Sequence, residues 1–435
     1  MQRLSLVVAG TFLCLLMLAA IGQAHAKLTI EVTGGAEGAQ PIAIVPFGDV
    51  DGARPGVDVA NVISADLTRS GRFRAMARRE MLATPSRQED VDFREWQLLG
   101  MNNLLIGEIR PAEGGGYDLS WRLFDVFSGD QLAARSLRST ERGLRHAAHR
   151  IADQVYETLT GERGVFATRL AYVTSRDRSV DSRVILRVSD SDGYNPQTIV
   201  DSAEPILSPA WSPDGKRLAY VSFENRQPSI YIQELATGRR QRVASYEGIN
   251  GSPAFSPDGR RLAMTLSKDG SPDIYLMDLA SGNLTQLTDH YAIDTEPAWS
   301  PDGRHLVFTS DRGGRPQIYR VAASGGPAER VTYEGEYNAA ASYSPDGQYL
   351  VMVTRVGGRF RIALTDAQGG SRRLLSNGAL DESPSFAPNG SMVIYASENN
   401  GRGVLSVTPI AGGAGQRLSQ EVGEVREPAW SPFPR

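Results

Sequence analysis

Side chains suited to catalysis are few and scattered. Four histidines follow residue 26, and His146 with His149 is their one close pair. A spacing of three on a helix would let both reach one ligand, but a lone pair on a charged helix is ordinarily a solvated face, which is the expectation here. There is no Gly-x-Ser-x-Gly elbow, no His-Glu-x-x-His and no phosphate loop. The only cysteine, Cys14, lies in an amino-terminal apolar run. No catalytic residue, metal or cofactor is therefore expected.

Acidic residues, by contrast, recur in a pattern. Six segments, 201–208, 245–252, 288–296, 332–340, 376–383 and 419–427, hold 13 acidic residues and a single basic one, Arg426. Glu204, Asp294, Glu296, Asp381, Glu382, Glu421 and Glu427 are among them. A second set of segments carries Arg176, Arg178, Arg183, Arg226, Lys268, Arg312, Arg315, Arg355, Arg359 and Arg402. If the two sets meet on one face, they make an acidic mouth inside a basic rim. Such a mouth suits a protein partner, and the alternative is charge that serves solubility alone.

A repeat sets the spacing of those segments. Pro-Ala-Trp-Ser-Pro-Asp-Gly stands at 209–215 and 297–303, with variants starting at 253, 341, 384 and 428, so successive copies are 44, 44, 44, 43 and 44 residues apart. The aromatics Trp211, Phe255, Trp299, Tyr343, Phe386 and Trp430 mark a first strand, and Ser-Pro-Asp-Gly marks a tight turn. Apolar stretches such as 217–221 and 274–278 then supply further strands. Four strands in about 44 residues is the signature of a β-propeller blade. Before the first copy, 169–173, 184–188 and 197–200 match the second, third and fourth strands of a blade whose first strand is missing. That strand appears at 428–431, so a six-bladed β-propeller over 165–435, closed by the C-terminal strand, is expected.

In front of it, 39–164 reads as an α/β domain with a short buried strand at 41–47, a helix over 57–70, an antiparallel set at 103–109, 117–125 and 131–137, and a helix over 141–159. Residues 1–26 have the pattern of a secretory signal cleaved near Ala26: Arg3, an apolar run over 4–21, then Ala24-His25-Ala26. Lys27, Leu28, Thr29, Ile30, Glu31, Val32 and Thr33 form an alternating strand before a Gly-rich hinge that extends to 38. That strand is either an edge strand of its domain or a detachable segment that pairs with another protein.

With Arg3 the only charge in 1–26, 45 basic residues face 50 acidic ones after it, which gives no electrostatic reason to expect nucleic acid. No later stretch is apolar enough to span a bilayer. The signal, the α/β domain and the propeller together resemble the TolB family of the Tol-Pal system. The strings at 169–173, 187–195, 295–299, 309–319 and 380–384 look like that family at matching places. The resemblance implies a periplasmic, non-enzymatic adaptor that binds the Pal lipoprotein through the propeller mouth and TolA through residues 27–33. It further implies support of outer-membrane invagination in cell division and of outer-membrane integrity, with other outer-membrane or peptidoglycan-associated proteins as partners. Asn250, Ser252, Thr295 and Glu296 carry over as Pal-facing, and blade symmetry adds Asp381 and Glu382. Glu204, Asn338 and Glu427 complete the expected mouth. The propeller of a peptidase-like hydrolase and a cation- or sugar-binding propeller are the competing readings.

Overall fold

A computed structural model of the protein describes residues 38–176, 183–412, 415–418 and 424–434. The expected signal, the strand at 27–33, Arg178 and Glu421 lie outside the described residues. The amino-terminal sheet contains β1 (Gln40–Ile44), β2 (Gly48–Asp49), β3 (Phe73–Ala75), β4 (Asn103–Pro111), β5 (Tyr117–Asp125) and β6 (Gln131–Ser139), ordered β3-β1-β4-β5-β6 with β2 on β4. β4, β5 and β6 are antiparallel, as their alternation predicts. β1 instead runs parallel to both β3 and β4. A parallel pair needs a crossover, and helix α1 (Val59–Arg69) supplies it between β1 and β3.

Asp58 starts α1 by accepting the Asn61 N–H at 3.1 Å, which satisfies one orphan donor of the first turn. After the short helix α2 (Phe93–Leu98), helix α3 (Leu144–Thr160) stops at Gly161 in a left-handed conformation. Val59, Ile63 and Leu67 of α1 join Leu144, Ile151 and Val155 of α3 over one face of the sheet, around Trp121. Trp96 and Met101 close the other face.

The propeller opens with β7 (Arg169–Arg176), β8 (Arg183–Asp190) and β9 (Gln197–Ser202), which form blade 1. The first strand of that blade is the C-terminal one, Glu424–Trp430, antiparallel to β7 with Trp430 opposite Leu170. Blade 2 is β10 (Ile206–Trp211), β11 (Arg217–Ser222), β12 (Ser229–Glu234) and β13 (Arg240–Ala244). Blades 3 to 6 begin with Asn250–Phe255, Asp294–Trp299, Asn338–Tyr343 and Asp381–Phe386. The ring is thus closed as the displaced strand predicts.

The repeat does two physical jobs. In its turn, Asp214 accepts the Lys216 N–H at 3.0 Å and the Ser212 hydroxyl at 2.5 Å, while Gly215 takes positive φ. Its aromatic then joins neighbouring blades. The Trp211 indole donates to the Ala429 carbonyl at 3.0 Å and the Trp299 indole to that of Ala254 at 3.1 Å. Arg169, Arg217 and Arg261 lie over the rings of Trp211, Phe255 and Trp299.

Every innermost strand also carries a bulge. Ser208, Ser252, Glu296, Ala340, Ser383 and Glu427 sit there with φ of 46° to 57°, between paired residues whose register shifts. Proline follows in five of the six. Having no N–H to lose, proline suits a position where the ladder is interrupted.

Candidate partner-binding mouth and the junction opposite it

The inter-blade loops and the loops between second and third strands open on one face of the ring. The amino-terminal domain meets the opposite face, where the remaining turns lie. The structure divides the expected mouth residues into two groups. Asn250, Asp294, Asn338 and Asp381 occupy one equivalent position, the start of an innermost strand, and all four are buried.

Asn250 accepts the Tyr246 N–H at 2.9 Å and donates to the Tyr246 carbonyl at 2.7 Å. Asn338 donates to Gln317 and to the Glu334 carbonyl, both at 2.8 Å. Asp381 accepts the hydroxyls of Ser376 at 2.5 Å and Ser397 at 2.6 Å, and the Gly378 N–H at 3.0 Å. These side chains staple the loops from within, so Asn250, Asn338 and Asp381, expected at the mouth, lie beneath its surface. The segments looked like loops, but their last residues belong to strands, so the polar side chain turns inward.

Thr295, Glu296, Glu382 and Ser252 are half-buried, and Glu204 is exposed. Glu296 accepts the Thr309 hydroxyl and the Ala340 N–H of the next blade, both at 2.8 Å. Glu427 does the same three blades away, accepting the Ser208 N–H. Burial, against the Ser208 bond and with Glu382 and Glu296 nearby, pushes the Glu427 carboxyl up to about 7. Glu427 is half-buried like Glu296.

The basic rim is also partly spent. Arg312 pairs with Asp294 at 2.6 Å, Arg315 with Glu336 at 3.1 Å, and Arg183 with Asp201 at 2.8 Å. The mouth is therefore less acidic than its composition suggests. It is also more apolar: Tyr291 (87% exposed), Tyr333 (69%), Ile293, Ile249 and Leu380 stand out on its inter-blade loops, with Leu207 exposed at the start of β10. Sequence reasoning missed these, although isolated tyrosines and isoleucines in otherwise polar loops were the available signal.

On the opposite face lies a buried ionic network. His149, expected to be solvated, is fully buried, and only His146 is exposed. The Nδ1 of His149 lies 2.6 Å from an Asp66 oxygen, and its Nε2 is 3.6 Å from Asp192 in the turn after β8. Asp66 also pairs with Arg69 at 2.7 Å, and Asp192 with Arg145. Burial opposes protonation of His149, but Asp66 and Asp192 outweigh it and raise its pKa. Burial likewise opposes ionisation of Asp192, and the positive groups around it hold its pKa down.

Donor atoms of Asp66, His149 and Asp192 lie within 4.8 Å of one another, as metal ligands would. Arg69 and Arg145 already balance the two carboxylates, so a divalent ion would leave the pocket strongly positive. The set suits an internal salt network. Around it, Gln416 donates to the Thr68 carbonyl at 3.2 Å, and Arg145 stacks on Tyr194 at 3.7 Å. Gly71 passes so close to Pro409 that a Cβ would lie 2.5 Å from it. Asp153 pins the segment between the domains by accepting the Phe166 N–H at 2.6 Å and the Ala167 N–H at 3.2 Å. Burial pushes its carboxyl up to about 7.

Comparison with known proteins places this geometry. Residues 156–434 match the model of the TolB beta propeller domain, and residues 28–132 that of the TolB amino-terminal domain. The Tol-Pal system protein TolB of Nitrosococcus oceani is 50% identical over 246 residues, 56% of each chain. That of a Xanthomonas oryzae strain is 51% identical over 245 residues, again 56% of each. The chain thus spans about half the length of these curated relatives. The crystal structure of TolB from Acinetobacter baumannii, 39% identical, covers 94% of this chain and 100% of its own, with a TM-score of 0.86. Among the described residues no helix is long and apolar enough to cross a membrane.

Proposed function

Because the chain belongs to the TolB family of Tol-Pal system proteins, we propose that it is a non-enzymatic periplasmic adaptor. It binds the Pal lipoprotein through the propeller mouth and TolA through residues 27–33, and so supports outer-membrane invagination in division and envelope integrity. The observation that carries the Pal half is the mouth itself. Ile249 and Tyr333 stand exposed on loops that Asn250 and Asn338 hold from inside, and Tyr291 and Ile293 on a loop held by Asp273, which accepts the His290 N–H, and by Asp311, which accepts the Ile293 N–H. Exposed aromatics on a preorganised scaffold are what protein interfaces use as anchors.

Thr295, Glu296, Ser252 and Glu382 line the inner side of that ring, with Glu204 outside it. Half-buried Glu427 and buried Asp381 support that surface. The TolA half rests on the alternating sequence at 27–33, which suits strand addition.

A paired capture experiment tests both halves. The full chain should retain the soluble domains of Pal and TolA, and the chain lacking 27–33 should retain Pal alone. TolA capture that survives the deletion removes the amino-terminal assignment.

A further inference from the structure

The flank of blade 2 carries a feature that neither the mouth nor the junction uses. Outer strands of blades 3 to 6 run only two or three residues, at Leu284–Gln286, Glu329–Arg330, Arg373–Leu374 and Gln416–Arg417. Short outer strands limit edge pairing. β9 of blade 1 keeps six residues, and β13 keeps five with no strand paired on its outer side among the described residues. It is also basic, since Arg239, Arg240 and Arg242 fall within four positions.

Beside it lies a groove of about 430 Å³, lined by Arg217, Arg239, Arg240 and Arg242 with Glu234 as the one acid. Its apolar lining includes Ile232, Val243, Met277 and Leu279. Arg217 and Glu234 also line a second groove, of about 590 Å³, that reaches Lys216 and Arg169 between blades 1 and 2.

Not all of this charge is spent internally. Arg239 pairs with Glu234 at 2.9 Å and Arg240 with Glu224 at 2.8 Å. Arg217 lies over the Phe255 ring, and Arg242 makes no ion pair among the described residues. Arg240 and Arg242, two apart on a strand, point the same way roughly 7 Å apart, the spacing of alternate side chains on a facing strand.

We propose that β13 and its groove form a docking edge for an extended acidic peptide segment, which adds as a fifth strand to blade 2. Its alternate carboxylates meet Arg240 and Arg242, and its other side chains cover Val243 and Met277. A positively charged edge repels a second copy of itself and admits a strand of opposite charge. An apolar floor and free backbone groups favour a polypeptide over a lipid headgroup, which can use neither.

The test uses the full chain and a labelled, end-blocked octapeptide of alternating glutamate and valine, followed by fluorescence anisotropy. Saturable binding is expected, at least tenfold weaker in Arg242→Glu and unchanged in Arg94→Glu, an exposed position on α2. N-methylation of alternate peptide nitrogens should weaken binding comparably, because it removes the edge hydrogen bonds. Absence of saturable binding, equal affinity for Arg242→Glu, equal binding of a lysine-valine peptide or indifference to N-methylation would each overturn the proposal. So would phosphatidylglycerol vesicles that bind in an Arg242-dependent manner while the peptide does not.

Discussion

At the junction Asp66 and Asp192 lie against Arg69, Arg145 and His149, whereas at the mouth Asp381 and Glu427 are held by hydroxyls and backbone N–H groups. Asp66 comes from α1 and Asp192 from blade 1, whereas Asp381 and half-buried Glu427 both belong to innermost propeller strands at the other end. Charged partners are affordable at the junction because the network lies between two domains and never meets a ligand. At the mouth, neutral donors hold Asp381 and Glu427 while Arg312 takes Asp294 at 2.6 Å, and Tyr291 and Tyr333 stand exposed. The cost appears on Glu427, whose burial, with Glu382 and Glu296 nearby, outweighs the Ser208 bond and Arg426 and holds its proton to about 7.

The largest expected effect tests what both ends share, the closed ring. Removal of residues 424–435 takes away the first strand of blade 1 and the Trp430 indole, which donates to the Thr168 hydroxyl at 2.8 Å. The cooperative thermal transition should be lost, and binding at the mouth with it, as circular dichroism and calorimetry would report. A retained sharp transition would mean that five whole blades close without the clasp.

Next comes the junction. Asp66→Ala leaves Arg69 and His149 buried without their carboxylate, and breaking such a network costs about 3–5 kcal/mol. Urea unfolding would measure the loss, and Pal affinity at low denaturant should be nearly unchanged, since the network is remote from the mouth. A cost below about 1 kcal/mol, the worth of an exposed pair, would show that solvent reaches the site.

The mouth also responds to pH. A carboxyl with a raised folded pKa binds its proton more tightly in the native state, so stability falls as pH climbs from the unfolded value of about 4.3 through 7. Glu427→Gln should therefore be more stable than the parent above pH 7, by on the order of 2 kcal/mol, and equal to it near pH 4. Denaturation at the two pH values separates this from a simple packing change. His149 adds to the same trend: its raised pKa stabilises the fold below about 6.5, and that contribution is lost as pH rises through the folded value. The smallest effect belongs to Glu204→Ala, an exposed loop change that should alter stability by less than about 0.5 kcal/mol.

What was legible in the sequence follows from how local each signal is. The Ser-Pro-Asp-Gly turn and the aromatic before it are neighbours in the chain, so the six blades could be counted, and the strand displaced to 428–431 could be placed. β3 has three residues and no measurable alternation, so its parallel pairing with β1 could not be read. His149 meets Asp66 across 83 positions and Asp192 across the domain boundary, and nothing in a helical charge pattern encodes either contact. At the mouth, acidic composition was legible but direction was not. A one-residue change of position in a strand turns a side chain from the surface to the interior, which is what separates buried Asp381 from half-buried Glu382.

The central claim is that the mouth binds through exposed aromatics on loops stapled from within. Isothermal calorimetry of the soluble Pal domain against the full chain and a Tyr291→Ala/Tyr333→Ala variant tests it most directly. The account predicts saturable one-to-one binding, weakened at least tenfold in the variant with an unchanged melting temperature. Equal affinity for both proteins, or no binding by the parent chain, would contradict it.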